Sequence, residues 1–184
     1  MALLSLRILI LWLPLLVCMG ALRHALGERP VFDQYRVKAA FLFNFAKFVE
    51  WPPQAFQSAG QPIAICVLGQ DPFGSSLDEV VQGKAIGNRK FVVLEISSAK
   101  QCGKCHILFV SASQRKRLRA DLAEIQGCCA LTVGETEEFI DSGGMINLRV
   151  QDTHVHMEID RYAAERAGLR ISSKLLSLAE IATK

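Results

Sequence analysis

The spacing of apolar residues changes several times along the chain. From Asp33 to Glu50, DQYRVKAAFLFNFAKFVE, apolar side chains recur at helical spacing around almost the whole circumference. Asp33, Arg36, Ala40, Asn44 and Lys47 form the one narrow polar or small stripe. This predicts a helix buried on most sides and open along that stripe. Trp51-Pro52-Pro53 ends it, because a residue before proline is pushed out of the helical region. Four short continuous apolar runs follow: IAICVLG (63–69), KFVVLEI (90–96), HILFVS (106–111) and CALTVG (129–134). Bounded by turn residues and rich in β-branched side chains, they predict buried strands. Asp71-Pro72 predicts a helix start, with Asp71 as cap and proline in the first turn. Further helices are expected at 113–125 and 136–141. Strands alternating with helices predict a parallel sheet covered on both faces.

The chain ends differently. GMINLRV and HVHMEID flank Gln151-Asp152-Thr153 and predict a β-hairpin. Asp160 is the expected cap of a helix ending near Gly168, and Ser172 or Ser173 that of a last helix, KLLSLAEIA. The expected fold is a single compact α/β domain. It has a mixed, mostly parallel sheet with helices on both faces, and a C-terminal β-hairpin plus two helices.

The first twenty residues, MALLSLRILILWLPLLVCMG, carry Arg7 ahead of an apolar run from Ile8 to Val17. The run is short for a membrane span and reads as a secretory signal peptide, with cleavage after Gly20 or Gly27. That leaves 28–184 as the expected domain. The formal net charge of +3 includes the signal's basic residues, so the mature chain is close to neutral. Such a balance argues against nucleic-acid binding. The run QRKRLR (114–119) reads as the solvated face of a helix.

Of the six cysteines, Cys18 leaves with the signal, and Cys66, Cys102, Cys105, Cys128 and Cys129 remain. In an oxidising compartment they are disulfide candidates, and five is odd. Cys102-Gly-Lys-Cys105-His106 also fits the C-x-x-C-H pattern of covalent haem attachment. An exported redox or c-type haem protein is therefore the alternative reading. Against it, His106 leads straight into Ile-Leu-Phe-Val, which favours a buried strand. If the sheet order begins 2-1-3, the strands carrying Cys66 and Cys105 are neighbours, which permits a bridge between them. A second bridge from Cys102 to Cys128 or Cys129 stays open. A zinc site is less favoured, because adjacent cysteines seldom both bind one tetrahedral ion. GQDPFGSS (69–76) lacks the phosphate-loop lysine and reads as a turn. His154, His156, Glu158 and Asp160 alternate, as on the solvated face of a hairpin. No catalytic or metal site is expected.

Three stretches together, VKAAFLFNFAKFVEWP (37–52), ICVLGQDPFG (65–74) and AGLRISSKLLSLA (167–179), resemble the YfiR family of exported regulators. CHILFVS and GGMINL fit between them in order, and the resemblance covers residues 32–182. It implies a periplasmic protein without enzymatic activity or cofactor. Such a protein represses a membrane-bound diguanylate cyclase by contacting its periplasmic sensor domain. An outer-membrane lipoprotein relieves the repression, linking the envelope to cyclic-di-GMP and biofilm formation. The resemblance further implies a homodimer and stabilising disulfides. Cys66 and Cys105 match the family's cysteines, whereas Cys102, Cys128, Cys129 and the His154/His156 pair fall outside its pattern. Within this reading, Asn44, Lys47 and Trp51 are the candidate partner-binding residues, as polar or exposed groups on a largely apolar helix.

Overall fold

The computed structural model describes residues 33–182, and the segment read as a signal peptide lies outside them. Helix α1 (Gln34–Phe48) begins at Asp33, whose carboxylate accepts the Tyr35 and Arg36 N–H groups, each at 3.1 Å. These are donors that a helix leaves without internal partners. The chain then runs through β1 (Val49–Glu50), β2 (Ile63–Leu68), α2 (Ser76–Val81), β3 (Ala85–Ile86) and β4 (Arg89–Ile96). It continues with β5 (Ile107–Val110), α3 (Leu118–Ile125), β6 (Leu131–Gly134), β7 (Ile146–Gln151) and β8 (His154–Ile159). Last come α4 (Arg161–Arg166), β9 (Arg170–Ile171), α5 (Ser173–Leu176) and β10 (Glu180–Ile181).

Eight strands form one sheet in the order β10-β8-β7-β6-β5-β2-β4-β3. Pairings from β4 through β7 are parallel, and so is β10 with β8; β7–β8 and β3–β4 are antiparallel hairpins. The mixed, mostly parallel α/β sheet is as the sequence pattern predicts, and β2 sits between β4 and β5. β2, β5 and β6 are buried along their whole length, which explains why they read as continuous apolar runs. One face packs on α1, α2, α4 and α5 through Phe45, Phe73, Phe109, Ala164 and Leu175. The other packs on α3 through Cys66, Leu108, Leu118 and Leu122.

Four local expectations are corrected. β4 is not the buried strand its apolar run predicts, for only Ile96 of its eight residues is buried. Asp71 does not cap a helix: its carboxylate accepts the Phe73 N–H at 2.8 Å in a turn, and α2 begins only at Ser76. The 136–141 segment is a run of turns. These turns carry Phe139, whose ring is so close to Gly134 and Gly144 that a Cβ at either would strike it. The last helix stops after a single turn, and Glu180 and Ile181 pair instead with Glu158 and Ile159 at the sheet edge. A strand of two residues leaves no readable period.

A buried ion pair pins the first turns of α1. Lys38 Nζ lies 2.6 Å from Glu135 Oε2, with side-chain exposures of 3% and 5%. Glu135 follows β6, and its other oxygen accepts the Ala112 N–H just beyond β5 at 2.9 Å. The pair thus ties α1 to two strands at their C-terminal ends. Removing one partner would strand the other charge in the core. Lys38→Met is therefore expected to lower the unfolding free energy by about 3–5 kcal/mol. Adding Glu135→Leu should recover a large part of the loss, and chemical denaturation of both variants would check this.

Candidate functional site

Two of the family-like stretches, far apart in sequence, meet in the fold. Val49 and Glu50 pair with Ile171 and Arg170, and the Ser172 N–H donates to the Phe48 carbonyl at 2.9 Å. The ammonium of Lys174 lies 5.5 Å from the Phe48 ring centroid. The C-terminal segment thereby covers one flank of α1, with Leu175 in the same core cluster as Leu42 and Phe45. On the opposite flank α1 meets α2 and β4, where Phe43 packs on Phe91 with centroids 5.3 Å apart. Between the flanks, the stripe from Arg36 through Ala40 and Asn44 to Lys47 stays exposed or half-buried.

Asn44 and Lys47 are joined within this stripe. Lys47 Nζ donates to Asn44 Oδ1 at 3.3 Å and lies 4.3 Å from the Phe43 ring centroid. Lys84, arriving from the α2–β3 turn, places a second ammonium 4.5 Å from the same ring. Asn44 and Lys47 therefore lie together on an accessible face. Lys84 and Lys174, which complete that face, carry no periodic signal in the sequence and were not legible there.

Trp51 departs from its expected place as an exposed anchor. It is half-buried, and its indole N–H donates to the His106 carbonyl at 3.0 Å. Its ring stands edge-on to Phe56 and His106. α1 ends at Phe48 and the chain is already extended through β1 before Pro52, and the Trp51 indole packs inward, against the start of β5.

That start also explains the C-x-x-C-H pattern. The β2–β5 ladder is regular at its far end, where the Ser111 N–H donates to the Leu68 carbonyl. At its beginning the His106 N–H reaches the Ala64 carbonyl at 2.9 Å, one residue out of phase. The Ala64 N–H then finds its acceptor in His106 Nδ1 at 3.0 Å, so the ring replaces a backbone carbonyl. A slip of one residue exchanges the faces of the side chains. It turns Cys105 toward Cys66 and sends His106 to the Trp51 side, where Phe56 stacks on it at 4.3 Å.

Cys66 and Cys105 are joined in a disulfide with Cα atoms 5.7 Å apart. Cys102 is joined to Cys128 at 6.2 Å, linking the turn before β5 to the chain leaving α3, and Cys129 is a half-buried free thiol. The two cysteines of the haem-like pattern thus have different partners. Their histidine is a buried ladder element with one nitrogen already committed. Among the described residues, no group of three or more histidine, cysteine or acidic side chains is placed to hold a metal ion.

The profile of the YfiR/HmsC-like family matches residues 35–180. The chain belongs to this family. No curated protein matches the sequence. Among solved structures, the YfiR/HmsC-like chain is similar to an ABC domain in complex with L-Trp from Streptococcus pneumonia. The TM-score is 0.55 at 10% identity, over 78% of this chain and 60% of that one. It is also similar to a conserved domain protein from Vibrio cholerae O1 biovar eltor strain N16961. Here the TM-score is 0.50 at 12% identity, over 65% and 54% of the two chains. The chain thus spans little more than half the length of either, and the likeness is one of fold. No helix among the described residues of this YfiR/HmsC-like chain is long and apolar enough to cross a membrane.

Burial holds the His106 pKa below its ordinary 6.5; the Ala55 carbonyl works in the opposite direction and the Arg89 charge adds to the lowering. The unfolded chain therefore takes up a proton that the folded ring resists. His106 thus contributes stability that is full above pH 6.5 and lost as pH falls below it. Urea midpoints are expected to drop between about pH 7.5 and about pH 5.5. His106→Asn should flatten that dependence, and an unchanged slope in the variant would count against the assignment.

Proposed function

We propose that this YfiR/HmsC-like protein is an exported, non-enzymatic regulator. It binds the periplasmic sensor domain of an inner-membrane diguanylate cyclase and represses it, lowering cyclic-di-GMP and biofilm formation. An outer-membrane lipoprotein relieves the repression, and the regulator acts as a homodimer. The observation that carries this reading is the family match across residues 35–180. The geometry supports it, because the two family-like stretches converge on one accessible face around α1. Within that face Asn44 and Lys47 are the contact residues, and Trp51 supports them from beneath by fixing the end of α1.

The mature protein alone is expected neither to synthesise nor to degrade cyclic-di-GMP. Deleting its gene in cells with an active partner cyclase should raise cyclic-di-GMP, and restoring the wild-type gene should return it to the starting level. An unchanged level beside a demonstrably active cyclase would contradict the proposal.

A further inference from the structure

The surface cations of the molecule are not placed alike. Arg115, Arg117, Arg149 and Arg161 each lie beside a carboxylate of the same chain. Lys47, Lys84 and Lys174 lie over aromatic rings, as Arg161 does over Tyr162, but unlike Arg161 they have no described carboxylate within ion-pair distance. Asp78 and Glu79 line the same open cleft as Lys84 without pairing to it. Two of the three ammonium groups share the Phe43 ring, each within 4.5 Å of its centroid, although like charges repel. The third sits on Phe48, farther along the same helix.

Ring contact does two things for a lysine. It holds a flexible stem in one place, so less freedom is lost on binding. It also leaves ammonium donors unused, apart from the one Lys47 gives to Asn44, because a ring face satisfies charge but accepts no strong hydrogen bond. Half-buried Phe41 and Phe48 supply apolar surface on the same face of α1. A face with held, unpaired cations around an apolar strip complements a surface carrying carboxylates around small apolar side chains.

We propose that Lys47, Lys84 and Lys174 form a cationic docking face that binds an acidic surface of the regulated enzyme's periplasmic domain. This inference rests on the regulatory reading above and adds to it the chemistry of the partner and two residues from outside α1. Docking then depends on charge, and it survives loss of any single lysine with reduced affinity.

The test uses the mature protein with the purified periplasmic domain of its cyclase. Affinity is measured for wild type, for Lys47→Glu, Lys84→Glu and Lys174→Glu singly and together, and for Arg119→Glu on α3 as control. Each single reversal should weaken binding by about fivefold or more, and the triple reversal by about a hundredfold, with melting temperatures preserved. Raising salt from about 50 to about 300 mM should weaken wild type far more than the triple variant. Lysine-to-glutamine versions replace any reversal that fails to fold. Wild-type binding that is insensitive to salt and to all three reversals overturns this inference and leaves the regulatory reading standing. No wild-type binding overturns both. Vesicles of phosphatidylglycerol and phosphatidylethanolamine form the last arm. If they capture wild type but not the triple variant while domain binding is equal for both, the face is a lipid site and the inference falls.

Discussion

A fifteen-residue helix that is apolar around most of its circumference has to be covered on several sides at once, and α1 obtains that cover from the whole fold. The sheet lies beneath it, α2 and Phe91 flank it on one side, and the segment after α4 flanks it on the other. Each end is also pinned to the sheet. Lys38 reaches Glu135 beyond β6, and Trp51 reaches the His106 carbonyl before β5. The two contacts lie at opposite ends of the parallel strands, so the helix is fixed in both tilt and position. What stays uncovered is one stripe whose side chains have defined places.

The opposite face of the sheet is held covalently. Both disulfides lie in the cluster under α3, one between β2 and the start of β5, the other between the preceding turn and the exit of α3. In the chain-entropy view, a bridge closing a loop of about forty residues stabilises by about 3–4 kcal/mol. The start of β5 is the common point. Its one-residue phase slip gives Cys105 to one face and His106 to the other, so α1 and the disulfide layer are anchored through adjacent residues.

Where side chains repeat with a clear period, the sequence is informative. The continuous apolar runs at 63–69, 106–111 and 129–134 mark strands buried on both faces, and the Asp33 to Glu50 pattern marks both α1 and its open stripe. Period fails where tertiary contacts decide. Glu180-Ile181 becomes strand only because β8 offers an edge, and Phe139 lies in turns because Gly134 and Gly144 leave room for its ring. For the candidate site, Asn44 and Lys47 were readable as polar groups on an apolar helix. Lys84 and Lys174 come from other elements, and nothing local marks them. Trp51 misleads because an aromatic at a helix end looks the same whether the chain turns outward or inward. The buried Lys38 had one legible signal, a lysine on the apolar side of its helix, which implies a paired charge.

The proposed partner-binding surface is the face of α1 together with the C-terminal segment. Amide hydrogen exchange of the mature protein, with and without the cyclase's periplasmic domain, tests it most directly. New protection is expected over residues 36–48, 82–86 and 170–176, with α3 unchanged. Protection confined to the β7–β8 hairpin, or to α3 and its basic run, would contradict it.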